Sequence, residues 1–237
     1  MLYHLAHPAE LLGIILGLVP ALIAHNLAQV WALRVAGDRT ALSAGLARIS
    51  DMKVNRFIGP YAAVAAVLVG VGWPEPVPIS GRFRRSERRS AGALVAGPVA
   101  VMLLALVWVF VAKAAGAHSV VVGSDTPGLT AAAALTGSTG TRIALYAAGA
   151  AASLAVLTAL PIPPLTGGRI LFLLAPRTGG WERARLRLVE SPVGSYIALA
   201  ILLGPLLLPG LPRIVPDLAT PLLGALLRAA GVAALLP

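Results

Sequence analysis

Four histidines and no cysteine limit the chemistry open to this 237-residue chain. Without cysteine there is no disulfide, no thiolate metal site and no thiol nucleophile. One histidine stands inside an apolar run, in His25-Asn26-Leu27-Ala28-Gln29. On a helix, His25 and Gln29 are four residues apart and share a face. A second polar stretch, Leu160-Pro161-Ile162-Pro163-Pro164-Leu165-Thr166-Gly167-Gly168-Arg169, supplies Thr166, which could close a hydrogen-bonded set with them. Burying an amide or hydroxyl without a partner costs about 1–3 kcal/mol, so these groups must satisfy one another or line a groove. An imidazole binds metal, but Gln and Thr are poor zinc ligands and a neutral amide is no general base. Elsewhere, His4, His7 and Glu10 form a triplet interrupted by Pro8, read here as exposed residues unrelated to a site. His118 falls in a loop, and Asp38, Asp51, Glu75 and Glu87 lie at no ligand spacing.

The elements that must position these residues are membrane helices. Hydrophobic residues make up 58% of the chain and charged ones 12%, where a soluble domain has about a quarter. Apolar runs cover residues 11–33, 58–73, 91–115, 143–160, 193–208 and 218–235. A helix in lipid can be apolar all round, so run length and flanking charge carry the assignment. The run at 58–73 is the shortest and opens on Gly59-Pro60. Arg34, Arg39, Arg48, Lys53 and Arg56 precede it; Arg82, Arg84, Arg85, Arg88 and Arg89 follow it; Arg169, Arg177, Arg183, Arg185 and Arg187 lie between the fourth and fifth runs. Only Lys113, Arg142 and Arg213 occupy the other connections. If residues 58–73 dip in and return, these residues divide fifteen against three between the two sides; if they cross, eight against ten. The positive-inside rule favours the first. The expectation is therefore an all-α polytopic membrane protein, a single domain over residues 1–237, with five transmembrane helices and a re-entrant segment. Its N-terminus would lie outside and its C-terminus in the cytoplasm.

The net charge of +10 sits in short loops and aromatic residues are 5%, which speaks against nucleic-acid binding. The N-terminal run has no preceding basic residue and reads as a retained span rather than a signal peptide. Residues 117–141, rich in Gly, Ser and Thr, read as a surface loop, and Trp31, Trp73 and Trp181 as interface anchors. The basic loop from Arg82 to Arg89 reads as a contact for anionic lipid headgroups.

The two polar motifs resemble those of the site-2 proteases, the M50 family of intramembrane zinc metalloproteases, in a compact bacterial form without a PDZ domain. That family carries H-E-x-x-H on one transmembrane helix and N-x-x-P-x-x-x-L-D-G after another, with two His and one Asp on zinc and the Glu as base. Gly37-Asp38-Arg39-Thr40-Ala41, Gly72-Trp73-Pro74-Glu75-Pro76-Val77-Pro78 and Ala96-Gly97-Pro98 extend the likeness, which runs from about Leu11 to Leu208. It implies a core of helices near residues 11–33, 91–115 and 143–160 in the plasma (inner) membrane of a bacterium. His25 matches the first zinc ligand, but Asn26 stands for the Glu, Gln29 for the second His, Thr166 for the Asp and Thr158 for the loop Asn.

With one ligand of three left, the resemblance implies a pseudoprotease with no catalytic residues and no cofactor. His25 would be the sole protein ligand if any metal bound. Its partners would be membrane lipids and a transmembrane protein, held in the groove for binding or as a subunit of a membrane complex. The alternative is an active intramembrane zinc metalloprotease with atypical ligands.

Overall fold

A computed structural model describes residues 2–44, 58–79, 87–135, 137–176, 178–189, 191–208 and 210–236. After a 3-10 turn at Leu2–Ala6 come α1 (Pro8–Val35), α2 (Thr40–Ser43), α3 (Pro60–Val69) and α4 (Glu87–Ala114). The strands β1 (Ser119–Ser124) and β2 (Thr130–Ala134) lead into α5 (Thr139–Ala159), α6 (Thr166–Leu174), α7 (Gly179–Leu188), α8 (Val193–Leu207), α9 (Ile214–Ala229) and β3 (Ala233–Leu235).

The core is the mutual packing of α1, α4 and α5. Its central member is α5, whose best apolar window is 78% buried against 28% for α4. Small residues explain this. Ala144, Ala147, Ala148, Ala150, Ala151, Ala152 and Ala155 on α5 are all buried and let neighbouring backbones approach closely. On α4, Val95, Val99, Leu103, Val107, Phe110 and Val111 stay exposed, a face suited to lipid rather than water. Helix α1 runs unbroken through Pro20, and its buried stripe descends from Ile14, Leu18, Ala21 and Leu22 to His25, Gln29 and Leu33. The polar pair thus continues the face that packs the core.

Among the described residues, α1, the Arg88–Ala114 stretch of α4 and α5 are long and apolar enough to cross a bilayer. A fourth crossing arises if α7 and α8, bent by 67°, count as one span. The runs at 193–208 and 218–235 give helices of 15 and 16 residues, below the roughly 20 that a full crossing takes. Gly231 at φ 76° stops α9, and Ala233–Leu235 turn away to pair in parallel with β1. The sheet, in order β2-β1-β3, corrects the all-α expectation. Residues 117–141 are largely a β-hairpin rather than a surface loop, because Val120 and Val122 point inward and are fully buried.

Helix α3 has ten residues, about 15 Å of rise and half the hydrocarbon thickness. Gly70, at φ 84°, ends it, and the extended chain after it returns until Pro74 bridges Ile58 antiparallel. Trp73 on that return is 3% exposed and packed in the core, so it is no interface anchor. Trp31 and Trp181 are exposed, Trp31 beneath the Arg34 guanidinium at 4.8 Å. Lys53 and Asp51 lie outside the described residues, as does most of the basic loop from Arg82 to Arg89.

Candidate functional site

The stripe of α1 carries His25, Asn26 and Gln29 to a place where α4 and the start of α6 meet it, and all three are buried. Thr166, the first residue of α6, faces them and is buried too. His25 Nε2 lies 3.1 Å from Thr166 Oγ1, and its Nδ1 lies 3.2 Å from Asn26 Oδ1. Gln29 Nε2 donates to Thr166 Oγ1 at 3.1 Å and to the Leu94 carbonyl at 3.0 Å, and lies 3.4 Å from His25 Nε2.

One proton assignment satisfies the set. Asn26 Oδ1 only accepts, so His25 is protonated on Nδ1; Nε2 then accepts from the Thr166 hydroxyl, whose oxygen accepts from Gln29. The Leu94 carbonyl is available because Pro98, four residues on in α4, has no N–H to give it. Gly97 completes the fit: a Cβ there would stand 2.6 Å from His25 Nε2 and 2.7 Å from Gln29 Nε2. The absence of a side chain at this point lets α4 close over the polar set.

The second motif is held by its own contacts. Gly168 lies against the backbone of Ile162 and Pro163, where a side chain would collide, so α6 folds back tightly on the loop before it. Arg169 Nη2 donates to the Val77 carbonyl at 2.6 Å and ties α6 to the extended return from α3. Burial pushes the nearby Glu75 carboxyl above its ordinary range, and the Arg169 charge pulls it back in part. Thr158, at the position of the loop Asn, bonds to the Leu154 and Ala155 carbonyls of its own helix and leaves the site alone.

The donors gathered at His25 are one imidazole, two amides and a hydroxyl, with no carboxylate among them. The imidazole lone pair is already engaged by Thr166. This set does not fit a catalytic zinc ion, which takes three N, S or carboxylate ligands from the protein. Among the described residues, no group of three or more His, Cys, Asp or Glu could hold a metal ion. Asp38 is buried and accepts from the Thr40 amide, and Asp51 lies outside the described residues. The expectation that His4 and Glu10 are incidental exposed polarity is corrected: His4 is fully buried, with Nδ1 2.9 Å from Glu10 Oε2, because the 3-10 turn folds back on α1.

Sequence reasoning missed the Leu94 carbonyl. Its signal is the proline four residues later, which any helical reading of residues 91–115 makes visible.

No protein-family profile matches the chain, and no solved structure matches it. It is 27% identical over 209 residues to the "Putative zinc metalloprotease YwhC" of Bacillus subtilis (strain 168), spanning 81% of this chain and 87% of that protein. With its candidate spans, the chain is a membrane protein distantly homologous to a protein described as a zinc metalloprotease.

Proposed function

We propose that the chain is a site-2-protease-like membrane protein that has left peptide hydrolysis and holds transmembrane segments, as a binding protein or a subunit of a membrane complex. The observation that carries this reading is the closed set of His25, Gln29, Thr166 and the Leu94 carbonyl. In the motif a base and two further ligands would stand where Asn26 bonds His25 and Gln29 bonds Thr166. Neutral amides and a hydroxyl neither activate water nor complete a zinc shell.

The charge division and the return of the chain at Ile58 and Pro74 support a re-entrant α3. On this reading α1, α4, α5 and the bent α7–α8 pair cross a bacterial inner membrane with the N-terminus outside, while α9 does not cross, because its start at Arg213 bonds Ser124 and the strand after it pairs with β1, both on the outer hairpin. The reading is tested with the full chain in liposomes, supplied with zinc and with single-span model substrates. The expected result is retention of a spanning helix without cleavage. Cleavage that disappears on His25→Ala would overturn it.

A further inference from the structure

At the other end of α1, some 25 Å from His25 by helical rise over the seventeen residues from Pro8, lies a second buried ionisable group that the proposed function does not use. His4, on the 3-10 turn, is fully buried. Its Nδ1 is 2.9 Å from Glu10 Oε2 of α1, and its Nε2 is 2.7 Å from Asp125 Oδ2 in the turn between β1 and β2. The ring also stands edge-on to Tyr146 of α5, centroids 5.6 Å apart. One side chain therefore joins the N-terminal turn, α1, the hairpin turn and α5. Beside it, His7, Glu10, Ser138, Arg142 and Tyr146 line a cleft of about 270 Å³.

A neutral imidazole has one N–H, and here each ring nitrogen faces a carboxylate oxygen. With one N–H between two carboxylates, a ring lone pair meets an anion unless the three groups together hold one further proton. We propose that His4, Glu10 and Asp125 form a proton-retaining latch, closed while the three groups keep that proton and opened when rising pH removes it, which separates the N-terminal turn from the hairpin turn and widens the cleft.

Burial supports the same direction. It raises the Asp125 carboxyl above its ordinary range, against the lowering effects of His4 and the amino-terminal charge and with a raising effect of Glu10. A carboxyl raised in the folded state adds stability that is lost as pH rises through its folded value. The other charged or titratable groups around the latch are His7 on the turn side, Arg142 and Tyr146 on α5, and Arg213, which donates to Ser124 beside Asp125.

The test uses the full chain in neutral detergent, from about pH 5 to about pH 9, a window above the ordinary carboxyl range. The chain has no native cysteine, so a spin-label pair at Ala6→Cys and Ser124→Cys reports the latch directly. The separation should lengthen with rising pH in the otherwise native chain and stay short with Asp125→Asn, whose amide can donate to Nε2 without a titrating proton. The melting temperature should fall with pH in the native chain, and Asp125→Asn and His4→Gln should each flatten that fall. Should His4→Gln fail to fold, Asp125→Asn alone decides. A label distance that does not change with pH, or pH profiles that run parallel in the native chain and Asp125→Asn, would overturn the latch.

Discussion

Gln29 Nε2 sits 3.0 Å from the carbonyl oxygen of Leu94, the acceptor that Pro98 leaves without a helical amide. A side chain from α1 thus repairs a defect in α4, and the same amide group reaches Thr166 on α6. Gln29 joins three elements at the point where the metalloprotease motif would place a second metal-binding histidine.

Gln29→Leu should destabilise the protein by about 1–3 kcal/mol, the cost of leaving buried acceptors unpaired. The cost should shrink when Pro98→Ala returns an amide to the Leu94 carbonyl, a coupling that a double-mutant cycle of unfolding in detergent measures. Strict additivity of the two substitutions would show that Gln29 does not serve that carbonyl.

Gly97→Ala should cost about 1–3 kcal/mol through overpacking, since the new methyl would meet His25 and Gln29. Gly92→Ala on the same helix, where a Cβ meets nothing within 4 Å, should be neutral or stabilising by up to about 1 kcal/mol. Comparing the two by thermal unfolding separates closure over the site from simple helix propensity.

Much of this arrangement was legible in the sequence, in uneven measure. His25, Gln29 and Thr166 could be named because their two stretches resemble the site-2-protease motifs, and the structure brings them within hydrogen-bond reach. The hairpin was hidden because the Gly, Ser and Thr around the valines resemble a loop, and burial of Val120 and Val122 depends on α9 packing against β1. The burial of His4 is hidden in the sequence for a related reason. Its partner Asp125 is distant in sequence, and no local spacing reports a contact across the fold.

The backbone of both motifs should still accept a metal once ligands are supplied. Gln29→His with Thr166→Asp, alongside His25, should give measurable zinc uptake, because the three positions already lie within hydrogen-bond distance of one another. Adding Asn26→Glu would provide a base. Hydrolysis is the more demanding outcome, since Thr158 faces its own helix and supplies no outer partner of the kind whose loss costs about 10–100-fold. A folded triple-ligand protein that takes up no zinc would remove the correspondence between Thr166 and the Asp of the motif.

The distribution of basic residues predicts the topology. Cysteine labelling at Ser43, Ser86 and Thr178 should report the cytoplasm, and at Ser124 the outside, with the cysteine-free chain as background. Ser43 and Ser86 on opposite sides would make α3 a full crossing and reverse the charge argument.

On the proposed function, the histidine-bearing site closes on itself and holds no catalytic metal. The most direct measurement is the zinc content of the full chain purified without chelator, beside His25→Ala. No stoichiometric zinc is expected in either protein. About one zinc per chain in the native protein, lost with His25→Ala, would contradict it, because a catalytic zinc site needs three protein ligands.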